Sequence, residues 1–363
     1  MRTPVGGLFR HVVDLSVEQA NRGHAVGIVA DSSTGGEAAA RTLEEIAPRL
    51  ELGISRVPMS RQVGLQDRAA LRHVAERAES TKADVLHGHG AKGGAYARLV
   101  RGAALKVYTP HGGSLHYSAT SPLGLAYLAI ERWLRDRTDL VLFESRFGEA
   151  TFRRKIGAPR LARVVHNGVT PRDLQTVQPD ADAADFIYIG EMRKLKGVGT
   201  LLDALALLSG EGWNGEATLY GDGPDRASFQ AQAERLGILH QVHFPGVLPA
   251  REAFATGKVL VVPSWAESLP YIVLEAAAAS VPLVATDVGG IPEIFGPDAR
   301  ALVAAKDVNA LTAALKRACE EDSGPLVGRL HDRIATDFTV ERMAEGVLAA
   351  YAAAKASHPT VSG

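Results

Sequence analysis

The stretch Pro263-Ser264-Trp265-Ala266-Glu267-Ser268-Leu269-Pro270-Tyr271 leads into an apolar helical pattern that carries Glu275. Glu267 falls in a strand-to-helix loop, and Glu275 lies about two helical turns further on. A carboxylate on the buried side of a helix needs a partner. Paired ribose hydroxyls would supply one for Glu275, and Glu267 is placed to receive sugar hydroxyls. Ser268 and Leu269 are expected to offer backbone N–H groups to phosphate at the helix start. A second polar loop, Gly190-Glu191-Met192-Arg193-Lys194-Leu195-Lys196-Gly197, sets three cations and two glycines beside a helix N-terminus. A diphosphate needs this combination of fixed positive charge, backbone donors and uncluttered approach. A solvated basic turn is the alternative.

Other segments fit a ligand less specifically. Gly6 and Gly7 precede a helical pattern, where glycine lets a phosphate or sugar approach backbone donors, though a simple turn explains them as well. Thr109-Pro110-His111-Gly112-Gly113 follows a strand pattern, so His111 is expected to project from the strand end and to bond a hydroxyl or shuttle a proton. His87-Gly88-His89-Gly90 has the look of a metal pair, but no carboxylate or cysteine stands at a supporting spacing. A glycine-flanked strand end is the better reading. Gly221-Asp222-Gly223-Pro224 reads as a structural turn.

These loops must be positioned by a repeated strand–helix alternation. Strands are expected at Val26–Ala30, Val85–His87, Lys106–Thr109, Val141–Glu144 and Arg163–His166. Further on they are expected at Phe186–Ile189, Thr218–Tyr220, Val242–Phe244, Val259–Val262, Leu283–Thr286 and Ala301–Val303. Helices are expected at Leu8–Arg22, Asp67–Glu79, Leu123–Arg135, Val198–Leu208, Asp225–Leu236, Leu269–Ala279 and Val308–Glu320. The alternation occurs twice and argues two α/β units with parallel sheets and ligand sites at the carboxyl ends of the strands. The domains are expected at 1–170 and 185–338. The polar stretch 171–184 links them, and 339–363 forms a closing helix and a disordered tail. A doubly wound unit usually opens with a strand feeding its glycine loop. Here only five residues precede Gly6, so the first strand is missing or truncated. Met1 is expected to be an internal methionine, because a lost central strand would expose two edges.

Composition narrows the function classes. Hydrophobic residues make up 46% and charged residues 22%, enough for buried cores and against disorder. One cysteine, Cys319, excludes a disulfide framework and a cysteine metal site and fits a reducing cytoplasm. No apolar run is long enough to span a bilayer and no signal-peptide pattern opens the chain. The net charge of −1 hides an asymmetry. Residues 1–177 hold 25 basic and 17 acidic residues, and the remainder holds 15 and 24. A basic half is suited to an anionic acceptor or membrane surface, or is ordinary drift between two domains. No basic-aromatic motif points to nucleic acid.

Taken together, these segments resemble the glycosyltransferase family 4 group with its GT-B fold, two doubly wound Rossmann-like domains facing a cleft. The likeness is strongest over residues 186–303 and rests most on Glu267 and Glu275, spaced Glu-x7-Glu within PSWAESLPYIVLEAAAASVPLVATDVGGIPEI. GGLFRHVVDL, RGHAV, ADVLHGHG, TPHGG, HNGV and FTVERMAEGVLAAY look like further landmarks. The resemblance implies a retaining, metal-independent transfer with no cofactor beyond the nucleotide-sugar donor. It implies that an Arg and a Lys of the first loop of the second domain hold the donor diphosphate. Lys196 matches that lysine. The usual arginine position is Glu191 here, and Arg193 is the candidate replacement. Ser280 stands where a glycine is usual. The expected site is therefore His111, Arg193, Lys196 and Glu267 for catalysis. Gly6, Gly7, Gly190, Ser268, Leu269, Pro270 and Glu275 would bind the donor, and no metal is expected.

By analogy the acceptor is a bacterial envelope or exopolysaccharide glycan on a lipid carrier, and the protein works in the cytoplasm at the inner face of the membrane. The pattern Leu123–Arg137, with Tyr127, Ile130, Trp133 and Leu134 on one face beside Arg132, Arg135 and Arg137, is read either as a membrane-surface helix or as an apolar face turned to the core. A nucleotide-sugar epimerase and a non-catalytic nucleotide-sugar-binding protein remain alternatives.

Overall fold

A computed structural model describes residues 1–60, 64–112 and 121–357; Gly113 and the last six positions lie outside the described residues. The chain divides into two units, one of Met1–Gly168 with Val340–Gly363 and one of Val169–Thr339.

The first unit alternates helix and strand: α1 (Gly6–Asn21), β1 (Gly27–Asp31), α2 (Gly36–Ile46), β2 (Gly53–Val57), α3 (Gln66–Ser80), β3 (Val85–His89), α4 (Gly90–Leu99), β4 (Leu105–Thr109), α5 (Pro122–Arg135), β5 (Leu140–Phe143), α6 (Arg146–Lys155) and β6 (Ala162–Val164). All its strand pairs are parallel, but they form two pieces, β1-β2 and β3-β4-β5-β6. Strands β4 and β5 are buried from end to end, as a parallel strand covered on both faces must be. The caps are local. Ser121 and Ser145 accept the amides of Gly124 and Gly148, both at 3.0 Å, and Pro122 takes the first turn of α5. Behind β4, Arg98 and Glu131 form a fully buried pair at 2.9 Å, with the Tyr108 hydroxyl donating to Glu131.

In the second unit β7 (Ala184–Ile189), α7 (Val198–Gly210), β8 (Ala217–Tyr220), α8 (Arg226–Arg235), β9 (Val242–Gly246), α9 (Ala250–Ala255), β10 (Gly257–Val262), α10 (Tyr271–Ala278), β11 (Leu283–Ala285), α11 (Ile291–Phe295), α12 (Val308–Glu320) and α13 (Gly324–Asp337) follow one another. Its five strands form one parallel sheet in the order β11-β10-β7-β8-β9, with Ile187 beside Leu260 and Thr218. The stretch from Thr170 to Ala183 packs on this unit. Val177 donates to Ala279 and Asp180 to Ala255. The last helix, α14 (Val340–Ala356), belongs to the first unit, where Met343 and Val347 pack with Leu15, Val107 and Leu142.

Several expectations need correction. Strand β2 and helix α4 went unread. β2 is half-buried along its length, so Gly53-Ile-Ser-Arg-Val shows no alternation. α4 is rich in glycine because it presses on the sheet; a Cβ at Gly94 would lie 2.3 Å from the Tyr108 ring. Packing overrides helix propensity there. The strand expected at Ala301–Val303 is one bridge, Thr286 to Val303, because a 3-10 turn runs through Ala301. The helix expected from Leu269 starts at Tyr271 with Pro270 as its cap. It ends in a left-handed residue, Ser280 at φ 59°, and Val281 N donates to Ala276 O at 2.9 Å. This 6→1 closure is why glycine suits that position.

Candidate functional site

In the second unit the loop after β7 is folded by its glycines and its anchors. Met192 is fully buried, its amide donating to Asp222 O and its carbonyl accepting Asp225 N, while Asp225 also accepts Lys194 N at 2.7 Å. A Cβ at Gly221 would lie 1.8 Å from Gly190 O, so the turn Gly221–Pro224 supports this loop. Gly197, at φ 72°, opens α7; a Cβ there would lie 1.8 Å from Pro263 O. Only glycine allows so close a meeting of the two strand ends. Trp265 N then donates to Leu195 O at 2.9 Å, and Trp265 Nε1 to Thr200 Oγ1 at 3.1 Å.

This pairing of loops delivers Lys196 to Glu267. Lys196 Nζ donates to Glu267 Oε1 at 2.7 Å, and Ser264 Oγ donates to the same oxygen at 2.7 Å. The carboxylate side chain is 9% exposed and the lysine 30%, so the ammonium keeps a solvent-facing side. Glu267 is fixed from below. Gly290 N donates to Ser268 O, and a Cβ at Gly289 would lie 2.0 Å from Glu267 O. Arg193 is placed differently. It pairs with Glu191 at 2.7 Å with both side chains nearly half exposed, and that partner pushes the guanidinium pKa up.

Because α10 begins at Tyr271, Ser268 and Leu269 precede the helix and are not its first-turn donors; the Leu269 side chain is buried in the core. Glu275 is half-buried on α10. Gly190 lies at the carboxyl end of β7, where a Cβ would meet the Tyr188 hydroxyl at 2.7 Å. In the first unit Gly6 and Gly7 begin α1, both exposed, with Gly6 at φ 64° and open space around it. Backbone conformation, not crowding, selects glycine there.

The carboxyl ends of β3, β4 and β5 gather a set of imidazoles that was only partly foreseen. His111 is left-handed at φ 52°, a sparsely populated conformation for a residue other than glycine. Its Nδ1 lies 2.6 Å from Glu144 Oε1, and its Nε2 lies 3.0 Å from His89 Nδ1. A carboxylate accepts, so the His111 proton sits on Nδ1. His11 donates from Nδ1 to Asn167 Oδ1 at 2.9 Å, and Asn167 Nδ2 reaches Glu144 at 3.5 Å. His11 Nε2 is buried with no hydrogen-bond partner. His87 bonds Tyr351 and Thr109. Burial first, then neighbouring His111, lowers the His11 pKa to about 4; burial also pushes His87 and His89 well below the usual range. These three rings are therefore neutral at pH 7.

The ligand nitrogens of His11, His89 and His111 lie within 4.8 Å of one another, so these rings are the group among the described residues that could hold a metal ion. In the sequence His87 and His89 lack a nearby partner and so read poorly as a metal pair; the other two members of the group come from α1 and from the turn after β4. His11, Glu144 and Asn167 were missed as site residues. The usable signal was position alone, since Glu144 and Asn167 follow strand patterns just as His111 does.

Comparisons with known proteins match both units of the chain. The family model described as Glycosyltransferase Family 4 matches residues 5–173, and that described as Glycosyl transferases group 1 matches 183–321. Glycogen synthase of Mycobacterium tuberculosis is 26% identical over 238 residues, 62% of this chain and 57% of its own length. The 2-deoxystreptamine glucosyltransferase of Streptomyces kanamyceticus is 27% identical over 242 residues, 61% of this chain and 62% of its own. The matches thus span under two thirds of these relatives. Sucrose-phosphate synthase from Thermosynechococcus elongatus superposes with a TM-score of 0.82 at 19% identity, covering 98% of this chain and 96% of that one. Anabaena HepE in complex with UDP and glucose gives 0.79 at 18%, covering 97% and 100%. Such identities establish the shared fold.

Proposed function

The chain belongs to the glycosyltransferase family 4 group, with a GT-B fold of two Rossmann-like units, and from that premise we propose that it transfers a hexose from a nucleoside diphosphate sugar to an acceptor hydroxyl with retention of configuration. The observation that carries this reading is the Lys196–Glu267 contact, which joins the cationic turn to the carboxylate loop. An ammonium has three donors and Glu267 uses one, so the remaining two face arriving phosphate oxygens. Negative charge builds on the diphosphate as the C1–O bond breaks, and a preorganised cation stabilises it at that moment. The acceptor hydroxyl bonds to C1 on the face the diphosphate leaves, and its proton passes to the departing oxygen. Glu267 positions Lys196 and receives sugar hydroxyls. Glu275 takes the ribose, and Arg193 joins the diphosphate once its exposed contact with Glu191 opens. His111, aligned by Glu144, bonds a sugar hydroxyl. Fixed cations take the place of a metal, so the transfer proceeds without one. HepE binds UDP and glucose, which makes uridine the first base to try.

The acceptor is a bacterial envelope or exopolysaccharide glycan presented at the inner face of the cytoplasmic membrane. No helix among the described residues is long and apolar enough to cross a membrane. Helix α5 does turn Leu123, Leu125, Ile130 and Trp133 outward, while its leucines Leu128 and Leu134 are buried. Arg132 on the same helix bonds Lys155 O of α6, where Phe147 is also exposed. Exposed apolar side chains among arginines suit an anionic lipid surface.

A thermal-shift panel of UDP-, GDP- and ADP-sugars on the wild type and on Lys196→Ala tests the donor assignment. Specific binding raises the midpoint for one base and the variant loses it. No shift with any base would leave a chain that binds no donor. Unchanged turnover in EDTA is expected, and loss restored by a divalent metal would refute the metal-independent step.

A further inference from the structure

Strand alternation gives β4 two unlike faces. Leu105 and Val107 pack with α14, whereas Tyr108 meets α4 and Glu131 of α5. Lys106 has the parity of Tyr108, so it lies on that second face, two residues nearer the amino end of the strand. The position is a poor one for a cation. Lys106 is 8% exposed, and its Nζ is buried with no hydrogen-bond partner among the described residues. Burial pushes its pKa down, against the opposing pull of Asp139. An ammonium has three donors, and leaving them unmade inside a protein is costly.

Lys106 lines a cavity of about 530 Å³ at the amino ends of β4 and β5, beside the C-terminal ends of α4 and α5. This is the opposite end of the strands from His111 and Glu144. Arg101, Arg137 and Arg160 line it as well, all of them exposed. Its carboxylates are already engaged. Asp136 pairs with Arg135 at 2.8 Å, and Asp139 accepts the Lys106 amide at 2.8 Å and lies 3.9 Å from Arg160. The carbonyl end of α5 is covered, because Arg137 donates to Trp133 O and Thr138 to Leu134 O. The charge balance of the cavity is therefore positive. A phosphate group suits it, since its oxygens can take an ammonium and a guanidinium fork together.

The setting selects the source of that phosphate. Leu123, Ile130 and Trp133 follow one line along α5, all exposed, and Trp133 at the end of the line is a wall of the cavity. The Arg137 guanidinium lies 3.8 Å from the centre of the Trp133 ring. Indole and arginine side chains both settle at headgroup depth in a bilayer.

We propose that the cavity at the amino ends of β4 and β5 binds the phosphate of an anionic phospholipid headgroup, held by Lys106 with Arg137 and Arg160, while Ile130 and Trp133 enter the acyl boundary. The arriving phosphate supplies the acceptor that Lys106 lacks. This seat rests on the reading of α5 as membrane-facing, and it makes docking depend on a buried lysine as well as on surface charge.

Sedimentation of the full chain with vesicles tests this, with no sugar donor present. The vesicles are phosphatidylcholine alone or mixed equally with phosphatidylglycerol, and the wild type is expected on the mixed ones only. Lys106→Met should bind them at least about tenfold more weakly. Its melting midpoint should nonetheless rise by roughly 3 °C, because a desolvated charge is gone. Removing a lysine that served only the fold would lower it. Arg160→Gln, at an exposed position, should lose about threefold, and Arg235→Gln, an equal charge change at an exposed position of the second unit, less than about twofold. Undiminished binding by Lys106→Met or by Arg160→Gln overturns the proposal, as do equal losses in Lys106→Met and Arg235→Gln. Inorganic phosphate is the second probe, set against chloride at equal ionic strength. A midpoint raised by phosphate and not in Lys106→Met, with vesicle binding unchanged by that variant, would make the ligand free phosphate and overturn the lipid. Loss of binding in Ile130→Ser but not in Lys106→Met would leave the membrane face standing and sink the seat alone. A wild type that ignores both vesicles overturns both.

Discussion

At the strand ends of the second unit an ammonium and a carboxylate, Lys196 and Glu267, touch while the lysine stays within reach of water. In the first unit His11 and His89 are imidazoles closed off from water, neutral because burial penalises their charged form. The difference teaches what each set is suited to do. An ion pair whose ammonium keeps a face to water can offer fixed charge to a phosphate without a large desolvation cost. Neutral rings in a dry cluster accept and donate hydrogen bonds to hydroxyls and add no charge of their own. The backbone follows the same division. Gly197 and Gly289 allow loops to meet in the second unit, whereas the first stores left-handed strain in His111 itself.

The comparison is broken most directly at Lys196. Lys196→Ala is expected to lower kcat/KM by about 10²- to 10³-fold, because it removes charge that acts in the transition state. A loss confined to KM would show that the lysine only binds the ground state. His111→Ala should cost about 10²-fold. Glu144→Gln should cost less, since an amide still accepts from Nδ1. Equal losses for the two variants would mean that the carboxylate acts directly and not through the ring.

Acid sharpens the contrast next. His11 titrates at about 4 in the fold against 6.5 unperturbed, so between these values the unfolded chain binds the proton and the fold does not. Its contribution is intact above pH 6.5, declines as the pH falls and is gone near pH 4. The loss is about 3 kcal/mol, and His87 and His89 act in the same direction. Urea unfolding followed by hydrogen exchange at about pH 5 should show the first unit weakened well before the second; a parallel decline in both would refute the neutral-imidazole account. The smallest effect lies outside both sites. Ser280→Gly relieves a left-handed residue at the end of α10 and should add about 1 kcal/mol of stability in denaturant titration with kcat unchanged. A destabilised variant would mean that the Ser280 contact with His331 at 3.3 Å outweighs the strain.

Much of this was legible in the residues themselves. Strong apolar runs such as Phe186–Ile189 and Val259–Val262 became β7 and β10, and the Glu267–Glu275 spacing marked the family that two family models match. Elements whose pattern is set by neighbours were not legible. β2 lacks alternation, and α4 carries glycines that only the Tyr108 ring explains. Nothing in the helical pattern around His11 announces its buried partners, and the outward face of α5 was indistinguishable from a core face until Ile130 and Trp133 were seen exposed.

By itself the sequence determined the alternation of strands and helices, the glycines at their junctions and the types of group at each strand end, because periodicity and turn chemistry are local. Tertiary structure alone decided which of those groups meet. Lys196 and Glu267 stand 71 positions apart, and His11 and Asn167 stand 156 apart. Such contacts, and the burial that fixes their protonation, exist only after strands from distant parts of the chain have paired.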